Sequence, residues 1–470
     1  MGGNRMNGLT LYEYDALTFP ASGLQEGGGL RIVPPKVYEW LELQALRAAE
    51  PDEAGAPWLR LTQRRGRRAV QVTSYVGVIR APDGFQIEVL PKVGKAIGGG
   101  DNEARELLIE MLRCLGGFRH IQTDSAKLKA TRMPLLEVFI AEFLQTAEHV
   151  VKRGLRSDYS ARQDNLFALR GKLQLATHLR QNLCRRDRFF TEHDEFSTNR
   201  PENRLLHAAL RWVLSATTSQ ANQQLARELC FVFADVPVSE QVAHDFQRVR
   251  LDRGMAHYAD GLAWARLILE EASPLTGDGG HRAPSLLFPM EAVFEALVAK
   301  HLARQLERPF VLKTQARSFS LVRHQGQDWF RLKPDLLVRE SATDQLVLDT
   351  KWKLINGAKA NGSEKYGLGQ DDFYQLHAYG QSYLDGQGDV VLIYPKTDAF
   401  SQPLPVFEFP KSRGLRLWVL PFCLRDKRLL LPQCGSLDAL FMTTSRSDSV
   451  VRNSRISASA DETQMATGSS

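Results

Sequence analysis

The chain has 470 residues, 43% of them hydrophobic and 24% charged, with a formal net charge of +6. That length holds two or three domains with cores of their own, and no stretch approaches the run of about 18 apolar residues that a membrane span needs. The positive excess favours a polyanionic partner only where it is clustered, and the five cysteines, odd in number and without a CxxC pair, point to neither a zinc site nor a disulfide framework.

The start MGGNRMNGLT lacks the apolar stretch of a secretory signal, so a cytoplasmic protein is expected. Residues 1–100 read as a strand-rich domain: GLTLYEY, a short helix in VYEWLELQALRA, then WLRLTQ and AVQVTSYVGVIR. The PDG turn at Pro82 to Gly84 joins the last of these to FQIEVLPKV as a hairpin. Arg64, Arg65, Arg67 and Arg68 cluster in QRRGRR. Residues 101–280 read as a mainly helical connector, because ARELLIEMLRCL and PLLEVFIAEFLQTAEHVVKRGL repeat apolar residues at three and four. A second basic cluster, Arg185, Arg186 and Arg188 in CRRDR, lies there. Each cluster suits DNA or a partner's phosphate-bearing surface, and each is equally a solvated turn.

SPLTGDGGHRAPS, rich in Gly, Pro and Ser, marks the next boundary. Residues 281–442 give a helix in MEAVFEALVAKHLARQL, several strands, a helix in DDFYQLHAYGQSYL and the strand DVVLIYP, the pattern of a mixed sheet flanked by helices. Residues 443–470 are polar and Ser-rich and are expected to be a disordered tail. The expected fold class is mixed α/β.

The chemistry concentrates in KPDLLVRESATDQLVLDTKWK. Read as a hairpin, its second strand puts Asp349 and Lys351 on one face and Leu348 and Thr350 on the other. With Asp335 starting the partner strand at the same end, three ionisable groups converge. Two carboxylates in one place repel unless a hard cation with oxygen ligands sits between them, and magnesium fits. Thr350, between the acid and the lysine, is a further candidate ligand. Such an ion would position water and neutralise charge at a phosphodiester, with Lys351 orienting the water, taking its proton or stabilising the phosphate. Glu295 borders the apolar stripe Met290, Val293, Phe294, Leu297 and Val298, placed to look into a site as a candidate ligand of the metal or a support to its ligands. Gln375 and Tyr379, four apart on one helical face, offer an amide and a phenol to a shared target. Each feature alone has a plain reading as solvated edge, turn or helix face; their order within one α/β block points to a metal-dependent nuclease.

PD, then DTK, with a preceding helical Glu and a following QxxxY, resembles the PD-(D/E)xK nuclease superfamily. The run LLFPMEAVFEALVAKHL, LKPDLLV, LVLDTKWK, FYQLHAYG and VLIYP is similar to the McrC family of restriction subunits, as are LRGKLQLATHLRQN, FSTNRPENRLLHAAL and IEVLPKVG upstream. The resemblance implies that residues 281–442 form a PD-(D/E)xK nuclease domain, that Asp335, Asp349 and Lys351 are its catalytic acids and lysine, and that Glu295, Gln375 and Tyr379 are accessory. It also implies a partner, a McrB-like AAA+ GTPase ring that recognises double-stranded DNA carrying 5-methylcytosine and is stimulated by this subunit. GTP would be bound by that ring, since no GxxxxGK[ST] phosphate loop occurs in this chain. The N-terminal strands are then expected to dock on the ring. Two other readings stand beside it: a non-catalytic scaffold of a ring, and a stand-alone DNA-processing nuclease.

Overall fold

The computed structural model describes residues 8–20, 26–47, 57–96, 100–115, 134–269, 285–432 and 436–441. The boundary stretch 273–284 and the tail 443–470 lie outside the described residues. The chain is mixed α/β and divides into two compact units, Met1–Leu90 with Gly117–Phe288, and Pro91–Gly116 with Pro289–Ser470. Among the described residues no helix is long and apolar enough to cross a membrane.

In the first unit, Gly8–Tyr12 pairs in parallel with Gln86–Leu90, which pairs antiparallel with Tyr75–Arg80 through the expected PDG turn. A second sheet is built from Leu30–Ile32, Ala16–Thr18, Arg67–Val72 and Leu59–Arg64. The helix Pro35–Arg47 lays Val37, Tyr38, Leu41 and Ala45 onto the same core as Leu59, Val70, Val72, Ile79 and Val89. The helices Leu135–Lys152, Pro201–Ala216, Gln220–Val232 and Ala259–Leu269 follow.

Two departures from the expected segmentation stand out. The 101–280 stretch is not helical throughout: Asp158–Leu166 and Phe189–Ser197 pair antiparallel along nine residues each. Their sequences DYSARQDNL and FFTEHDEFS lack alternating apolar residues because most of their side chains are at least partly exposed, so no core face imprints a period of two. The division also differs, because the helix Asp101–Leu112 belongs with the C-terminal residues, where Lys300 Nζ donates to Arg113 O at 3.3 Å.

The second unit centres on a seven-stranded sheet in the order Val311–Thr314, Leu336–Glu340, Thr343–Thr350, Gly388–Pro395, Leu415–Cys423, Phe407–Glu408, with Arg428–Leu429 also on Leu415–Cys423. Thr343–Thr350, Gly388–Pro395 and Leu415–Cys423 run parallel, and Leu336–Glu340 pairs antiparallel with Thr343–Thr350. The helix Met290–Leu302 buries Met290, Val293, Phe294, Leu297, Val298 and Leu302. The helix Gln370–Tyr383 packs Leu376, Tyr379 and Tyr383 on the face formed by Val347, Val390, Leu392 and Tyr394. Gly380 allows its close approach: a Cβ there would lie 2.5 Å from Leu415 Cδ2.

Candidate active site

The strand Thr343–Thr350 ends where its parallel neighbour continues, and Lys351 N–H still donates to Ile393 O at 2.9 Å. The carboxyl end of a parallel strand is where side chains from several elements can meet without burying loop backbone. Val347 belongs to the core face under the helix Gln370–Tyr383, and alternation puts Asp349 on that same side. Asp349 is only 2% exposed. Asp335 lies just before its own strand, and its Oδ2 accepts from both Thr350 N–H (2.8 Å) and Thr350 Oγ1 (2.7 Å). Thr350 therefore aims Asp335; its hydroxyl is spent on that acid rather than offered to an ion.

Lys351 has its Nζ 2.7 Å from Asp349 Oδ2 and 3.5 Å from Asp372 Oδ1, and donates to Gln375 Oε1 at 2.9 Å. Gln375 Nε2 donates to Tyr379 OH (2.8 Å), and that phenol donates to Lys333 O (3.0 Å). One hydrogen-bonded path thus runs from the lysine through the helix to the backbone two residues before Asp335. The five residues Asp335, Asp349, Lys351, Gln375 and Tyr379 lie near one another at this strand end.

The electrostatics follow from crowding and burial. Burial, then the nearby Asp335 charge, pushes the Asp349 carboxyl up to about 7 despite the lysine beside it. Burial alone would lower Lys351, but Asp349, Asp372 and Asp335 outweigh it and hold the ammonium above its ordinary value. Of the roles open to this lysine from sequence, the geometry disfavours proton acceptor. Glu295 is pushed up to about 7 by burial and by Asp335, and it accepts a short hydrogen bond from Gln315 Nε2. The expected third acidic ligand is therefore engaged with an amide. Among the described residues no three Asp, Glu, His or Cys side chains stand together as an ion-holding group.

Four participants were not singled out in the sequence. Asp372 pairs with Lys351 and accepts from Tyr394 OH at 3.2 Å; its spacing of three from Gln375 was the available signal. Gln315 joins Glu295 to the Asp335 backbone, its own N–H donating to Asp335 O at 2.9 Å. Lys92, from the LPKV stretch, donates to Trp352 O at 2.9 Å and lies 5.6 Å from that indole's centre, gripping the peptide after Lys351. The basic clusters belong to the first unit. Arg64 to Arg68 form a hairpin tip, Arg64 paired with Arg67 across Arg65 and Gly66 at φ 52° and 75°. Arg188 lies over the Phe167 ring at 4.3 Å, in the loop that carries Arg185 and Arg186.

Fold and site together define a mixed α/β protein that gathers two acids and a charged lysine at the carboxyl end of a parallel strand. A family model described as the McrBC 5-methylcytosine restriction system component matches residues 70–395, and the chain belongs to that family. Among solved structures it is similar to a chain in a refined half-complex from the tetradecameric assembly of Thermococcus gammatolerans McrB AAA+ hexamers with bound McrC. There the TM-score is 0.58 at 20% identity, over 88% of this chain and 94% of that one. A cryo-EM structure of the Thermococcus gammatolerans McrBC complex matches with a TM-score of 0.46 and 21% identity, over 63% of this chain and 87% of that one. No curated protein matches.

Proposed function

We propose that this chain is the DNA-cutting subunit of a modification-dependent restriction system, a PD-(D/E)xK-type endonuclease that works with, and stimulates, a McrB-like AAA+ GTPase ring reading 5-methylcytosine in double-stranded DNA. The observation that carries the reading is the meeting of Asp349 and Lys351 at 2.7 Å with Asp335 close enough to raise the Asp349 pKa. The family match and the likeness to a chain from an assembly of McrB hexamers with McrC support it.

The chemistry of the donor set fits magnesium: Asp335 and Asp349 offer hard carboxylate oxygens, near enough for the charge of one to act on the other, and this ion is commonly held by one or two carboxylates with water completing its shell. When bound, the ion supplies positive charge at the scissile phosphate and makes water easier to ionise. Asp335, fixed by two hydrogen bonds from Thr350, and Asp349, fixed by Lys351, are the residues that would hold it. Lys351 remains protonated and stabilises negative charge developing on the phosphate. Gln375 and Tyr379 keep that ammonium in place, and Glu295 with Gln315 sets the far side of Asp335.

The test is cleavage of methylated plasmid by purified chain with magnesium, a McrB-type GTPase and GTP. Asp349→Ala should abolish cutting and leave stimulation of the GTPase intact. Cutting that needs neither GTPase nor GTP would favour a stand-alone nuclease, and stimulation without any cutting by the wild type would favour a scaffold.

A further inference from the structure

Between the helix Met290–Leu302 and Asp335, the strands Phe319–His324 and Gln327–Leu332 pair only with each other among the described residues, as a separate two-stranded sheet. Their turn, Gln325-Gly326 at φ 48° and 81°, is a tight two-residue reversal. Residues 321–331 are exposed on both faces, which a sequence that meant to bury the hairpin against its own unit would not allow. Yet the exposed side chains are not those of a solvated ribbon. Trp329 is 45% exposed, Phe330 70% and Leu321 54%. Alternation puts Val322 and its cross-strand partner Trp329 on one face with His324 and Arg331, and the His324 and Trp329 rings are 4.8 Å apart.

Charge on the segment has one sign. Lys313, Arg317, Arg323, Arg331 and Lys333 are all exposed, whereas the one acid from 311 to 333, Asp328, is already paired with Arg323 at 3.0 Å. The root of the hairpin is held to the site. Tyr383 OH donates to Leu332 O at 3.1 Å and accepts from Ser318 N–H at 3.3 Å, while Tyr379, one helical turn earlier, donates to the next carbonyl, Lys333 O. Phe319 packs edge-on to Tyr383 at 4.8 Å. The helix that holds Lys351 thus also fixes the direction in which the hairpin leaves the unit.

We propose that the hairpin Phe319–Leu332 is a DNA-binding arm, its cations on the phosphates and its rings against sugar and base edges of the duplex whose backbone enters at Asp335 and Asp349. The inference rests on the nuclease reading for what lies at the hairpin's root. Phosphate contacts need the Lys and Arg excess, and exposed rings between cations are what a groove or an unstacked base accepts. A protein partner is the poorer match, because five cations from 313 to 333 against a single acid already paired with Arg323 would need several acids opposite them, whereas a phosphate backbone presents such charge everywhere.

The experiment is fluorescence anisotropy of a short labelled duplex, in EDTA so that nothing is cut, across a salt series. Arg317→Ala with Arg331→Ala should weaken binding and reduce the salt slope by about 2. Trp329→Ala with Phe330→Ala should weaken it roughly tenfold and leave the slope unchanged. All four positions are exposed, and an unchanged melting temperature separates lost contacts from lost fold. Affinities within about twofold of wild type in both variants, or no measurable binding by the wild type at low salt, would overturn the arm. So would retained DNA affinity with lost association to a McrB-type ring, or with altered self-association on size exclusion; either assigns the hairpin to a protein. Cleavage by Asp349→Ala separates the two proposals: if that variant still cut, the cleavage reading would fail, while the arm, judged by the affinities of its own variants in EDTA, would stand.

Discussion

Replacing Asp349 by Asn should stabilise the protein at alkaline pH while abolishing its cutting. Asp349 is 2% exposed, and burial with the Asp335 charge moves its carboxyl from 3.8 to about 7. A folded-state pKa above the unfolded one means that the folded chain binds the extra proton between those values. This contribution to stability is complete below about pH 4 and is lost as the pH rises to about 7. An interval of about three pH units corresponds to on the order of 4 kcal/mol, or roughly 8–16 °C in melting midpoint for a unit of this size. Thermal melts in EDTA at pH 5.5 and pH 8 span about the upper half of that interval, roughly 2 kcal/mol or 4–8 °C. The wild-type midpoint should fall with rising pH, the fall in Asp349→Asn should be shallower by this share, and the variant should melt several degrees higher at pH 8. Glu295, also raised to about 7, adds to the fall, whereas His301, lowered to about 4, opposes it below about pH 6.5. Magnesium should raise the wild-type midpoint far more at pH 8 than at pH 5.5 and do little for the variant. A wild-type profile flat or rising with pH, or a variant less stable than wild type at pH 8, refutes the reasoning.

Lys351→Met should reduce cleavage by about 10²–10³-fold, the scale of losing one preorganised charge at a transition state; in the wild type at limiting magnesium the rate should fall with falling pH as proton and cation compete for Asp349, with no lysine titration between pH 7 and 9. Gln375→Leu cuts the link between Lys351 and Tyr379 and should lower cleavage about 10–100-fold, with magnesium affinity, read by calorimetry, retained. In the first unit, the Glu137 carboxylate accepts from Thr217, Thr218, Ser219 and Asn222, so Glu137→Leu should cost about 3 kcal/mol in a denaturant melt by stranding those donors. Gly380→Ala should cost about 1–3 kcal/mol by overpacking against Leu415, and adding Leu415→Ala should recover part of that cost and of the cleavage rate.

Legibility followed how locally each feature is encoded. Asp335, Asp349 and Lys351 lie at the open end of one short antiparallel hairpin, Leu336–Glu340 with Thr343–Thr350, so strand pairing and alternation over a few residues relate them. Gln375 and Tyr379 were legible because helical spacing relates them to each other. Asp372 and Tyr394 were not, because their contact depends on which strand the helix Gln370–Tyr383 covers, and no pattern in either segment states that. The role of Lys351 was open in sequence because it turns on burial set against three neighbouring acids. The polar strands Asp158–Leu166 and Phe189–Ser197 and the hairpin Phe319–Leu332 share one cause of obscurity. A ribbon exposed on both sides has no apolar face to write an alternating pattern into its sequence.

The helix Gln370–Tyr383 explains why so few residues hold so much of the site. Asp372, Gln375, Tyr379 and Tyr383 fall at intervals of three, four and four, one stripe along its buried side. The polar tips reach two places, the strand ends beside Lys351 and the root of the hairpin: Asp372 to Tyr394 and Lys351, Gln375 to Lys351, Tyr379 to Lys333 O, Tyr383 to Leu332 O and Ser318 N–H. The phenols use their rings as core and only their hydroxyls as contacts, so the same side chains that seat the helix also fix the site, without an added buried charge to desolvate. Two acids that repel each other and a lysine drawn between acids would otherwise relax apart. Holding them against that tendency requires a rigid element packed closely on the sheet, which the missing side chain at Gly380 permits. The energy stored in the raised Asp349 pKa is therefore balanced by apolar packing of Leu376, Tyr379 and Tyr383, and a cation between the acids would draw on it.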